Sequence, residues 1–148
     1  MKGVDKESVA YGNAKSNVIA QADDFAEISA EQAYGVATES YHWGSNMTIA
    51  NYGIILAQAY DITGEQKYID AAQAQLNYLL GTNPLGTCFV TGYGTATPVA
   101  PHHRPSMAVG GCMKGMLVGG VNQKLEGFGI GGGHIGGVLG VAFSQKRL

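Results

Sequence analysis

Between Gly86 and Ser106 the chain reads GTCFVTGYGTATPVAPHHRPS, and His102, His103 and Arg104 sit there between Pro101 and Pro105. Arg104 is the only arginine in the first 146 residues, and no aspartate or glutamate occurs between Ala71 and Leu125. An imidazole donates or accepts a hydrogen bond, while a guanidinium presents a planar fork of donors, so the two side by side suit a neutral ligand rich in hydroxyls. The prolines fix their own φ and bias Ala100 and Arg104 toward extended backbone. Side chains alternate along extended chain, which predicts His102 and Arg104 on one side and His103 on the other. The plainer alternative is a surface loop whose histidines bond only to backbone.

The flanking elements must hold this loop in place. Residues 1–17 are polar and carry Gly3, Gly12 and Asn13, so they read as a flexible start. From Asn17 to about Tyr34, Val18, Ala22, Phe25, Ile28 and Ala33 recur at helical intervals, with Asp23, Asp24, Glu27 and Glu31 on a solvated face. A second helix follows Trp43-Gly44, with Ser45 or Asn46 as its cap and Ile49, Tyr52, Ile55 or Leu56, and Tyr60 at helical spacing. Gly53 within it allows a neighbouring helix to approach closely. Thr63 and Gln66 read as a capping box opening a third helix, whose inner face carries Tyr68, Ala71, Ala72, Leu76 and Leu79 and which Gly81 ends. Two antiparallel helices joined by a short turn result. Trp43, the only tryptophan, reads equally well as core or as a flat platform for a sugar ring, with Tyr41 and His42 as polar edges.

Composition narrows the classes. The chain of 148 residues has a net charge of −2 and a pI near 6, which gives no reason to expect nucleic acid or an anionic membrane as a partner. Only 14% of residues are charged and 23 are glycine, a profile that suits one piece of a larger buried body. Cys88 and Cys112 are too few for a disulfide scaffold. A metal module built on His42, His102, His103, His134, Cys88 and Cys112 is poorly supported by their scattered spacing. The first residues contain no apolar run of signal-peptide length, and no segment approaches a membrane span.

The stretch WGSNMTIANYGIILAQAYDITGEQKYIDAAQAQLNYLLGTNPLGTCFVTGYG, followed by PHHRPS and GMLVGGVN, closely resembles glycoside hydrolase family 9. The likeness runs from roughly Ala20 to Glu126. It implies an all-α fold, a partial (α/α)6 barrel of antiparallel helix hairpins with long active-site loops, here the C-terminal-side fragment of a catalytic domain. It further implies hydrolysis of β-1,4-glucosidic bonds in cellulose or related β-glucans by inversion in an extracellular parent enzyme. The family's His-x-Arg falls on His102 and Arg104, which in relatives contact the glucose unit near the scissile bond; these are the residues expected to take part in catalysis. Trp43, Tyr41, Tyr93 and His103 complete the expected substrate-binding set. Cys88 stands where the family has a small hydroxyl or valine, and Ala96 where Asn, Lys or Arg is common; neither change removes a reacting group. No cofactor is expected, and although the resemblance leaves room for calcium in a complete family domain, no site for it is evident in this chain.

The family's acid and base are not evident. Inversion needs two carboxyl groups on opposite sides of the sugar, far enough apart to admit a water. Asp23 and Asp24 lack the family's Asp-x-x-Asp pattern, and no Asn-Glu segment follows Val121-Asn122. Instead, eight of the fourteen residues from Gly127 to Gly140 are glycine. Residues 127–148 therefore read as an atypical tail, for which a frameshift or an assembly artefact in a partial gene is the hypothesis, and 18–126 as the family fragment. Without a preceding strand or a Lys-Ser/Thr, the glycines are a weak phosphate-loop signal. The sequence predicts an inactive chain that carries the substrate-positioning loop, with β-glucan or cello-oligosaccharide and the remainder of the catalytic domain as its partners. The alternative is a non-catalytic carbohydrate-binding remnant.

Overall fold

The helices begin where the backbone's first amides find acceptors. The structure, a computed structural model, describes residues 5–121. Helix α1 spans Val9–Glu31, α2 Ser45–Thr63, α3 Gln66–Leu80 and a short α4 Arg104–Val109. Helix α1 starts well before the expected Asn17. Ser8 caps it by accepting from the Tyr11 N–H, and Asp5 accepts from Ser8 in turn, which outweighs the poor helix propensity of Gly12 and Asn13.

Two expected caps are not formed. Ser45 and Asn46 lie inside α2, whose N-cap is Gly44 at φ 82°, because their side chains donate instead to the carbonyls of Val121 and Val118 on a returning segment. Gly64 at φ 74° closes α2 through the Tyr60 carbonyl, so α3 follows after only two residues. That turn is too tight for a capping box: Thr63 Oγ1 donates back to Ala59 and accepts from the Glu65 N–H, and Gln66 bonds to Asp70.

Helices α2 and α3 form an antiparallel hairpin against which α1 packs. Ala22, Leu56, Ala59, Tyr68, Ala71 and Ala72 are the centre of that packing, and Phe25 stacks on Tyr52 at 4.0 Å between ring centroids. A Cβ on Gly53 would stand 3.3 Å from the Gln75 Cβ, so the glycine does permit a close crossing. Leu76, expected inside, is 53% exposed; the buried residue of that turn is Gln75. A second cluster of Val36, Ile49, Tyr78, Leu79 and Phe89, with Leu85 and Val118 against it, seals the long loop onto the end of the hairpin.

Candidate functional site

The loop after α3 is built outward from a clamp. Asn83 donates to the Tyr78 and Thr87 carbonyls at 2.7 and 2.8 Å, and its Oδ1 accepts from the Leu85 and Thr87 amides. A buried amide with four partners turns the chain sharply out of the helix. The Phe89 N–H then bonds the Leu79 carbonyl, so the loop is stitched to the last turn of α3.

Next comes a short two-stranded neck. The Thr91 amide donates to Met116, Gly115 donates to Thr91, Val118 donates to Phe89, and Val90 pairs with Leu117 in antiparallel fashion. Thr91, fully buried, adds its hydroxyl, which donates to the Met113 carbonyl and accepts from the Met116 N–H. Beyond the neck, the Cys88 amide bonds the Ala96 carbonyl and Thr97 Oγ1 bonds the Val90 carbonyl. Cys88 itself is buried, and a Cβ on Gly94, whose φ is 78°, would meet the Cys88 Cβ at 2.9 Å, so position 94 takes glycine.

This construction presents the candidate residues. Tyr93 is 57% exposed just past the neck, and Trp43 is 66% exposed at the start of α2. Helix α2 begins and α3 ends at the same end of the hairpin, so Trp43, Tyr41 and the loop from Asn83 onward share that end. Tyr41 is half-buried, its ring stacked 6.2 Å from that of Tyr78, and burial pushes its phenol above the usual value. Burial raises the Tyr78 phenol further. His42 exchanges a hydrogen bond with Thr48 at 3.2 Å.

The histidine-arginine segment departs from expectation in one respect. Arg104 is the first residue of α4 rather than the end of an extended run, with Pro105 in the first helical turn, where a missing N–H costs nothing. The alternation that was to align His102 with Arg104 therefore stops at His103, whose φ of −132° and ψ of 110° are the last extended values. Nδ1 of His103 caps the helix, accepting from the Ser106 N–H. Both His102 and Arg104 are exposed, and their side chains make no hydrogen bond or ion pair among the described residues. Asn83, Thr91 and Ser106, which shape the loop, were not singled out in the sequence; an Asn-Pro pair after a helix and a small polar residue three past His103 were the available signals.

Among the described residues no three of the His, Cys, Asp and Glu side chains gather into a group that could hold a metal ion. The glycine-rich stretch 127–148 and His134 lie outside the described residues.

Comparison with known proteins accounts for this arrangement. The model of Glycosyl hydrolase family 9 matches residues 3–134. This chain belongs to glycosyl hydrolase family 9. The match extends past both ends of the 18–126 stretch and into the glycine-rich segment. A cellulose 1,4-beta-cellobiosidase of Acetivibrio thermocellus is 36% identical over 125 residues, covering 76% of this chain and 14% of that protein. A xyloglucan-specific endo-beta-1,4-glucanase of Bacteroides ovatus is 37% identical over 116 residues, covering 73% of this chain and 20% of its own length. The crystal structure of a metagenome-derived family 9 endoglucanase superposes with a TM-score of 0.74 at 35% identity, covering 82% of this chain and 23% of the other. The chain thus spans between 14% and 23% of the length of these relatives. It is an all-helical portion of a family 9 catalytic domain, related to β-1,4-glucanases and cellulases, and its helices correspond to part of an (α/α)6 barrel.

Proposed function

We propose that this chain forms the substrate-positioning wall of an inverting β-1,4-glucanase that acts on cellulose or a related β-glucan outside the cell. His102 and Arg104 contact the sugar beside the scissile bond, Trp43 and Tyr93 offer flat apolar faces to further glucose units, and Tyr41 supports the Trp43 end through its stack on Tyr78. The observation that carries this reading is the division within the loop. Its buried polar groups, Asn83 and Thr91, are spent on bonds within the chain, whereas His102 and Arg104 are held out with no partner among the described residues. Donors left unpaired in this way suit hydroxyls of a neutral polymer.

The acid and the base belong to other parts of the parent domain: the chain carries no carboxylate between Ala71 and Leu125, Asp23 and Asp24 lack the Asp-x-x-Asp pattern, and no Asn-Glu segment follows Asn122. Without both groups, protonation of the leaving oxygen and activation of water fail together, at a cost of several orders of magnitude in rate. Purified 148-residue chain is expected to bind cellohexaose weakly and saturably and to release no reducing sugar from carboxymethyl-cellulose. Arg104→Ala should weaken binding by about tenfold, the worth of a charge-assisted hydrogen bond. Clear sugar release by the chain alone would overturn the division of labour, and binding unmoved by Arg104→Ala would overturn the sugar-facing assignment.

A further inference from the structure

Helix α4 is only six residues long and cannot persist on its own propensity, so its geometry depends on its ends. Gly110 at φ 66° closes the C-terminal end, with its N–H on the Met107 and Ser106 carbonyls. The N-terminal end depends on one imidazole. His103 Nδ1 lies 3.3 Å from the Ser106 amide nitrogen and 2.9 Å from Ser106 Oγ, and the Met107 N–H bonds the His103 carbonyl at 3.0 Å. Ser106 is 4% exposed and His103 half-buried, so this cap is partly shielded from water.

We propose that His103 is a positioning residue for Arg104: as the neutral ring with its proton on Nε2, it caps α4 and so sets the direction in which the guanidinium leaves the loop. This rests on the sugar-facing reading of Arg104 given above. The chemistry of the cap determines the tautomer. A backbone N–H can only donate, so the nitrogen that receives it carries no proton; the 2.9 Å contact with the Ser106 hydroxyl takes its direction from that tautomer. Arg104 is the first helical residue, so loss of the cap frees the backbone that carries it.

Among the described residues no ion pair competes for the ring. His102 and Arg104 flank the ring in sequence, Lys114 on the returning segment has its stem against Gly92, and no aspartate or glutamate occurs from Ala71 to Leu125.

The test uses the whole 148-residue chain and two readouts. Nitrogen-15 NMR of the histidine rings is expected to show an unprotonated Nδ1 at His103 near neutral pH, together with a Ser106 amide slow to exchange. A protonated Nδ1 there would overturn the proposal. Cellohexaose binding is then measured at neutral and mildly acidic pH for the unsubstituted chain and two variants. His103→Ala should weaken binding by about fivefold, the usual worth of a helix cap. His103→Asn, whose side-chain oxygen can cap in the same way, should restore both the slow Ser106 amide and the binding. A folded His103→Asn chain that binds as poorly as His103→Ala would sink the positioning role. If the unsubstituted chain binds no sugar at any pH, the functional reading fails, while the ring and amide signals still decide the cap.

Discussion

Gln75 shows how much a single buried amide can organise. Its Oε1 accepts from the Ala37 N–H at 2.8 Å, and its Nε2 donates to the carbonyls of Gly35 and Ala71 at 2.8 and 2.9 Å. The same Gly35 carbonyl receives the Ser29 hydroxyl at 2.6 Å, so the end of α1, the turn after it and the middle of α3 share one network. Removing one member of a buried network leaves its partner dry and unpaired. Gln75→Ala should destabilise the chain by about 2–4 kcal/mol from the unpaired Ala37 amide and the cavity together. Gln75→Leu, which keeps most of the volume, should still cost about 1–3 kcal/mol. Urea unfolding midpoints measure both, and a neutral leucine variant would reduce the amide to a space filler.

At the scale of elements, α1 is held to α3 by charge as well as by packing. Asp23 Oδ1 receives Lys67 Nζ at 2.7 Å and the Tyr68 hydroxyl at 2.8 Å, and Lys67 also reaches Glu65 at 3.2 Å and lies over the Tyr68 ring. Asp23 thus does more than face solvent, as the acidic side of α1 suggested; Asp24, Glu27 and Glu31 are simply exposed. The hydrogen bonds from Lys67 and Tyr68 hold the Asp23 carboxyl below its ordinary value of 3.8, and Lys67 is raised by the same contact. As pH falls, the unfolded chain therefore takes up this proton before the folded one does. The stabilisation is fully present above the ordinary value and is lost as the pH drops through the lower folded value. The pair is half exposed, so the effect is modest. Asp23→Asn should flatten the stability curve between about pH 5 and pH 1, read from thermal midpoints at low salt. An unchanged acid slope would show that the pair is an ornament of the surface.

At the scale of the molecule, the helices carry more apolar surface than they cover for one another. Met47 and Ile54 on α2 are 64% and 56% exposed, and Leu76 and Leu80 on α3 are 53% and 49% exposed. In a barrel of paired helices, faces of this kind lie against neighbouring pairs, and the relatives have several times more chain to supply them. Exposed apolar faces of this extent favour association. Sedimentation of the 148-residue chain should show concentration-dependent self-association that Leu76→Gln with Leu80→Gln reduces, since neither side chain belongs to the core. A monomer at all concentrations would show that the faces are too dispersed to stick.

Much of this was legible from the chain alone because it is written in local chemistry. Apolar spacing marked all three long helices, Gly53 marked a close crossing, and the motif from Trp43 through His102 and Arg104 identified the family and its all-α fold. What the sequence left undecided were the bonds that span large separations. Ser45 and Asn46 have the right chemistry to cap a helix, yet they serve Val121 and Val118, more than seventy residues away. Gln75 rather than Leu76 faces inward because the turn at Gly35 supplies an amide and a carbonyl for it to bind. Arg104 turns helical despite the proline after it because His103 and Ser106 complete a cap that local bias cannot anticipate. Periodicity and motif are properties of neighbours in sequence, whereas a polar side chain takes whichever partner the fold brings within 3 Å, and only the tertiary structure decides that.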